Sequence, residues 1–487
     1  MTKLAFLLLL SLLSSLLLFQ SKPLTKSLAF THVTVIDATG KPAQPDMTVV
    51  VTAERITALG KTGRVKIPPD AEVVDASGKF LIPGLCDMHI HLTITPDQAV
   101  SRDVILPMLV AHGVTTVRDM GGDWQRIQQL RQEIASGKVT GPRIIAPGPF
   151  VDGPQQASAA VMPVSNEAEA QQAVRKLQAQ GVDFIKVQSG LSLDAYLAVV
   201  AEAKGLSIPV EGHVPEAFSA MEVVRAGQRS IEHISPVLPG DAGLPLACSA
   251  KEAELRAELA ELNRAVQQPN ADRQQLRTKQ RALQAQFFST YSKEKAAALF
   301  AAMIKNKTWS VPTLIWSKTF APLSENDLPA DLPIKSIPPA LRDRWATRRS
   351  NVVKASTPED FAFRNMIFEK SRDFVRELHH AHVPLLAGTD AIDAYVLPGF
   401  SLHQELELLV AAGLTPMEAL QAATRDPAQF LGVLNSRGTI ETGKIADLVL
   451  LTENPLSDIR HTRRIAGVVL GGKYLAEAAL RQLLPER

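Results

Sequence analysis

Cysteine is almost missing from this chain: Cys86 and Cys248 are the only two. Two thiols cannot make a disulfide framework, so a packed core must hold the fold, and two buried free thiols are the expected state. A surplus of one charge is missing as well. The 52 basic and 50 acidic residues leave a formal net charge of +2, which gives no electrostatic footprint for nucleic acid or for an anionic membrane. No Gly-x-Ser-x-Gly elbow and no Cys–His arrangement points to covalent catalysis. No cysteine stands behind the apolar N-terminal run either, so attachment as a lipoprotein is not supported.

That run is the first positive feature. Lys3 precedes an unbroken apolar and serine stretch from Leu4 to Phe19, followed by Gln20, Ser21 and Lys22. It has the form of a secretory signal peptide over residues 1–21 and is short for a spanning helix, which needs roughly 20 apolar residues. The expected location is periplasmic or extracellular, with no membrane attachment after cleavage. The small-x-small pattern at Ser27-Leu28-Ala29 would cut into the first strand, so a cut nearer Ser21 is the alternative.

The 487 residues suffice for a large core and more than one domain. Residues 28–84 read as short strands, beginning with the β-branched run Thr31-His32-Val33-Thr34-Val35-Ile36. The same texture returns over 430–487, as in Ala446-Asp447-Leu448-Val449-Leu450-Leu451. The two ends are expected to form one small β-sandwich domain. Between them, over 85–429, strands alternate with helices, the pattern of a parallel sheet and here of a (β/α)8 TIM barrel. Eight strands are expected to begin at Leu85, Val114, Arg143, Val182, Ile208, Arg229, Trp309 and Val383. Thr415, Pro416 and Glu418 form a capping box that starts a helix. Lys251 to Lys305 is expected to be an inserted helical hairpin broken at Pro269-Asn270-Ala271-Asp272, either a solvated face or a lid. Pro322 to Pro339 reads as a loop.

Asp87-Met88-His89-Ile90-His91 carries the first chemical signal. Side chains alternate along a strand, so His89 and His91 point the same way and can grip one ion. Lys186, His213, His233 and Asp390 stand at the ends of later candidate strands, the end that carries the site in barrels. Four imidazoles and a carboxylate so placed suit zinc. Any one alone has a duller explanation as a hydrogen-bonded core residue or a snorkelling lysine. Glu232, beside His233, is expected to face the other side of its strand and to be structural.

These motifs, with Gly113-Val114-Thr115-Thr116-Val117-Arg118-Asp119, Ala387-Gly388-Thr389-Asp390 and Gly443-Lys444-Ile445-Ala446-Asp447-Leu448, resemble the amidohydrolase superfamily, in particular its imidazolonepropionase-like and prolidase-like dipeptidase branch. The resemblance implies two divalent ions, zinc foremost. His89, His91 and Asp390 would hold the first, and His213 and His233 the second. Lys186, carboxylated by carbon dioxide, would bridge them. A plain ammonium would repel two cations, whereas burial and nearby cations favour the neutral amine that captures carbon dioxide. The implied reaction is hydrolysis of an amide bond in a dipeptide or N-acyl amino acid. Metal-activated hydroxide would attack, with Asp390 as general base and then acid. Alternatives are a lactone or organophosphate ester hydrolase with the same centre, a mononuclear imidazolone hydrolase or deaminase, and a non-catalytic binding protein. Arg118, for a substrate carboxylate, and His112, Tyr395 and His403 are candidate substrate contacts, each with a structural alternative; Asp119 shares the end of the second strand. A small-molecule substrate is the expected partner, and homo-oligomerisation is left open.

Overall fold

The structure, a computed structural model, describes residues 26–484 apart from 95–96, 156, 235–242, 267, 269 and 321–331. The apolar leader at 1–21 lies outside these residues, as does much of the Pro322–Pro339 stretch.

Strands from the two ends of the sequence share one eight-stranded sheet. The N-terminal members are β1 (Leu28–Val35), β2 (Gln44–Thr52), β3 (Arg55–Lys61), β4 (Glu72–Asp75) and β5 (Phe80–Pro83). Strand β5 joins the ends: it runs parallel to β1 and antiparallel to Leu448–Leu451 near the C-terminus. Phe30, Val33, Val49, Leu81, Leu448 and Leu450 meet in a core of their own, as the alternation of apolar residues along such strands requires.

The intervening chain is α/β. Strands β6 (Leu85–Ile90), β7 (Val114–Asp119) and β8 (Arg143–Ile145) form one parallel sheet. A second parallel sheet contains β9 (Phe150–Asp152), β10 (Val161–Pro163), β11 (Ile185–Val187), β12 (Val210–Gly212), β13 (Ser230–Glu232) and β14 (Trp309–Val311). The C-terminal strands β15 (Leu448–Leu451), β16 (Ile465–Leu470) and β17 (Lys473–Ala476) complete the first sheet. Leu385–Ala391 lies between the two parallel sheets. It bridges Ser310 through Leu385 and Ile90 through Ala391, and Met88 N–H donates to the Ala387 carbonyl at 2.9 Å. Beside β8, Asp183 N–H donates to the Ala146 carbonyl at 3.0 Å. Seven of the expected strands are present and begin within three residues of the expected positions, while the eighth makes only bridges. Strands β9 and β10 were not expected. At three residues each, they are too short to show a period.

The interior strands β11, β12 and β13 are buried at every position, as strands covered on both faces should be. The capping box is present: the Thr415 hydroxyl accepts from Glu418 N–H at 3.2 Å, and Glu418 Oε2 accepts from Thr415 N–H at 2.8 Å. The Lys251–Lys305 stretch is a helical pair followed by a third helix. Helices Glu252–Val266 and Arg273–Ser289 pack through Leu255, Leu259, Leu262, Leu283 and Phe287. Asp272 caps the second of them by accepting from Gln274 and Gln275 N–H. Lys293–Asn306 instead belongs to the main core, through Ala296, Leu299, Phe300 and Met303. Among the described residues no helix is long and apolar enough to cross a membrane.

Candidate metal centre

The six expected ligands come from five strand ends. His89 lies on β6 and His91 just beyond it, Lys186 on β11, His213 and His233 directly after β12 and β13, and Asp390 in the Leu385–Ala391 segment. Two glycines permit the close approach. A Cβ on Gly388 would meet His89 Cβ at 2.8 Å and His89 N at 2.9 Å. Gly212 has φ of +138°, and a Cβ there would meet the Val187 carbonyl oxygen at 2.2 Å. The Asp390 segment is then clipped to β6, because Asp390 N–H donates to the His89 carbonyl at 2.7 Å and His91 N–H to the Ala391 carbonyl at 2.5 Å. Asp87 ties the same elements together by accepting from Thr389 N–H and its hydroxyl at 3.0 and 2.6 Å.

The imidazoles share one orientation. His89 Nδ1 bonds Glu232 Oε2 at 2.9 Å, and His91 Nδ1 bonds the Gly121 carbonyl at 3.0 Å. Both partners accept only, so both Nδ1 atoms carry a proton, and in the neutral ring the lone pair is left on Nε2. His213 Nδ1 meets Ser189 Oγ at 3.0 Å, and His233 Nδ1 meets Thr313 Oγ1 at 2.8 Å. Four outward Nδ1 anchors leave four Nε2 atoms for the interior. Metal-ligating histidines are commonly held in this way, with the ring nitrogen away from the ion bonded to a carboxylate, carbonyl or hydroxyl oxygen.

Three of those Nε2 atoms, from His89, His91 and His233, gather around Asp390. Asp390 Oδ1 lies 3.5 Å from His89 Nε2 and 3.3 Å from His91 Nε2, and Oδ2 lies 4.0 Å from His233 Nε2. Tetrahedral zinc ligands 2.0–2.2 Å from the ion stand roughly 3.3–3.5 Å apart, so His89, His91 and Asp390 fit one divalent cation. Their ligand atoms all lie within 4.8 Å of one another. The His233 ring centroid is 4.6 Å from that of His89 and 4.9 Å from that of His213. Lys186 is 1% exposed and close enough for its charge to bear on His89, His213 and His233.

Burial is the largest single influence on each imidazole of the cluster, and nearby charges add to it or oppose it. It pushes His89 down to about 4 and His233 to about 3, and His213 well below the ordinary range, where Lys186 adds to the effect. Burial alone would raise Asp390, but His89, His91 and His233 outweigh it and hold the carboxyl well below its usual range. His91 moves the other way: burial would lower it, but the hydrogen bond and charge of Asp390 outweigh burial and raise it. Neutral His89, His213 and His233 beside an anionic carboxylate are protonation states that a metal site needs.

The secondary candidates divide differently. Arg118 is fully buried and engaged on every side by protein groups: its Nε donates to the Met88 carbonyl at 2.6 Å, Nη1 to Glu211 Oε2 at 2.6 Å, and Nη2 to both oxygens of Glu232. The expected contact with a substrate carboxylate is therefore corrected: its donors are already committed to the interior. His112 and His403 are not among the ligands. They face one another at 6.0 Å beside Phe400, and His403 Nε2 donates to the His112 carbonyl at 3.1 Å. Asp119 accepts from Leu92 and Gly121 N–H. Tyr395 lies between Trp345, at 5.8 Å, and the Arg349 guanidinium, at 5.0 Å, both on the helix Pro339–Lys354.

Glu232 was misread. Simple alternation separates it from His233, but His233 has φ of +63°, so the chain turns out of strand geometry and both side chains reach the centre. Trp316 was missed. Its ring lies 5.3 Å from that of His233, and its Nε1 donates to Asp393 Oδ2 at 3.1 Å. No local signal marks either role, since each depends on a partner distant in sequence.

The sequence pattern of the amidohydrolase family matches residues 80–273 and 337–475. An imidazolonepropionase of Vibrio parahaemolyticus is 32% identical over 139 residues, which cover 27% of this chain and 32% of that protein. The match thus spans about a third of the curated relative. Among solved structures, a protein of Bifidobacterium longum classed provisionally as a prolidase superposes with a TM-score of 0.65 at 26% identity, covering 95% of this chain and 98% of the other. A Xaa-Pro dipeptidase with methionine bound in its active site superposes with a TM-score of 0.64 at 21% identity, over 93% of this chain and 100% of that one, and so shares the fold. The chain belongs to the amidohydrolase family.

Proposed function

On that footing, we propose that the protein is a metal-dependent hydrolase that cleaves an amide bond in a small substrate, a dipeptide or an N-acyl amino acid. The observation that carries this is the convergence of His89, His91 and Asp390 on one point, with the His233 and His213 rings beside them. The first ion would be held by His89, His91 and Asp390. The second would be held by His213 and His233, with Lys186 as a carbamate between the two. Zinc suits the imidazole and carboxylate donors. The superposition on prolidase and dipeptidase structures supports the choice of substrate. The bridges through Leu385 and Ala391 and the Asp183–Ala146 hydrogen bond support closure of the parallel strands into an eight-stranded barrel.

Bound divalent ions would supply the Lewis acidity that brings the pKa of a water toward about 7 and polarises the scissile carbonyl. The residues of the chain do the rest. The outward Nδ1 anchors keep each Nε2 aimed inward before any ion arrives. Asp390, with a side chain 14% exposed, is the carboxylate placed to take a proton from the attacking water and return it to the leaving amine. Trp316 covers the outer face of His233 and limits the positions its ring can take.

The test is a screen of dipeptides and N-acyl amino acids on metal-replete protein, with metal content measured in parallel. Turnover with about two equivalents of metal per chain supports the binuclear reading. One equivalent, with activity that survives Lys186→Ala, favours the mononuclear alternative of an imidazolone hydrolase or deaminase.

A further inference from the structure

Beneath the centre lies a buried set of charges that binds no ion itself. Arg118 on β7 reaches across the interior and touches three other strands: the Met88 carbonyl on β6, Glu211 on β12, and Ser230 and Glu232 on β13. All four of these side chains are at most 1% exposed. Glu211 is gripped from the other side by Arg229. Glu232 receives both Nη2 bonds from Arg118, at 2.9 and 2.8 Å, and the Ser230 hydroxyl. Glu232 Oε2 is also the atom that meets His89 Nδ1.

We infer that Arg118 and Glu232 are positioning residues for the first cation, acting through the tautomer and aim of His89. The inference rests on the metal-centre reading. A carboxylate in that place can only accept, so it holds the proton on Nδ1 and leaves Nε2 free to ligate. Arg118 fixes where the carboxylate stands, because Nη2 meets both of its oxygens while Nη1 is held by Glu211 and Ser230 and Nε is pinned to the β6 backbone one residue before His89, so the planar group cannot turn. The positioning is therefore internal to the protein and exists before the cation binds. His213 and His233 use the hydroxyls of Ser189 and Thr313 instead, so the device serves one half of the centre only.

The test is Glu232→Gln, which keeps shape and volume but can present an amide N–H to His89 Nδ1 and so favour the tautomer that blocks Nε2. Full-length protein is loaded with zinc against a competing chelator, and metal content is read beside circular dichroism and the melting temperature. Loading with cobalt(II) gives the coordination spectrum. The expected result is a loss of about 10–100-fold in affinity at one of the two sites, an altered cobalt spectrum, and a fold and second-site affinity like those of the parent. Arg118→Lys, which keeps the charge but not the fork, should weaken the same site. Should Glu232→Gln fail to fold, Ser230→Ala removes one hydroxyl from the same network and should cost about fivefold at that site. Parent-like affinity and cobalt spectrum in a folded Glu232→Gln, or in Ser230→Ala where that variant replaces it, overturns the inference while leaving the metal centre intact. A parent protein that takes up no metal overturns the centre, and the inference with it.

Discussion

Acidification should weaken the protein through His112, a histidine away from the metal ligands. Its Nε2 is buried without a hydrogen-bond partner among the described residues. Burial, and then the charge of Arg463, push it down to about 4 from an ordinary 6.5. A histidine with a depressed folded pKa favours the native state while it is neutral. That contribution is complete above pH 6.5 and is lost as the pH falls toward 4, because the unfolded chain binds the proton first. Between pH 7.5 and pH 5 the two pKa values give a loss of about 2 kcal/mol. Part of the residue reaches solvent, so about 1–2 kcal/mol is the figure expected. His112→Leu removes the titration and keeps the backbone carbonyl that His403 uses. Urea unfolding of both proteins at pH 7.5 and 5.0, in chelator so that the other histidines titrate alike, isolates the term. The parent should lose about 1–2 kcal/mol more than the variant across this interval. Equal losses would refute the argument, because His112 would then bind its proton equally in both states.

Four further outcomes are expected. Asp390→Asn should lower turnover by about 10²–10⁴-fold and release metal, measured by steady-state kinetics and metal analysis; retained turnover would remove Asp390 from the chemistry. Gly388→Ala should abolish metal uptake, because its methyl would overlap His89 Cβ and Val311 Cγ1; full uptake would show that the segment can shift. Cys86 and Cys248 are free, buried and pushed up to about 12, so iodoacetamide at pH 8 should label neither thiol in native protein and both in urea, as mass spectrometry can show. Thr415→Ala removes the hydroxyl of the capping box and should cost about 1 kcal/mol, seen as a lower melting temperature; an unchanged one would count against the cap.

Much of the site was legible because its residues fall where two simple periods make them stand out. His89 and His91 share a strand face, and the remaining ligands punctuate later strand ends. The β character of both chain ends was legible for the same reason, since β-branched runs and Gly turns are local signals. Long-range partners were not legible. Arg118 looks like any cation near a strand end, and only the fold shows Glu211, Glu232 and a backbone carbonyl waiting for it. Alternation failed at Glu232 because the next residue leaves strand geometry, and nothing in the local sequence announces a positive φ at a histidine. The inserted helices were expected, but Lys293–Asn306 was wrongly grouped with them. Its Ala and Leu content resembles theirs, and only packing separates the two.

The pairing of β5 with β15 sets an order of events during synthesis. Among the described residues, one edge of β5 has its only ladder partner in Leu448–Leu451, which leaves the ribosome late. Until then, the backbone groups of that edge have no such neighbour and are open to strangers. A chain stalled or clipped before Leu448 would carry every candidate metal ligand and still expose an unsealed strand, so truncation should send it into aggregates rather than yield a smaller working enzyme.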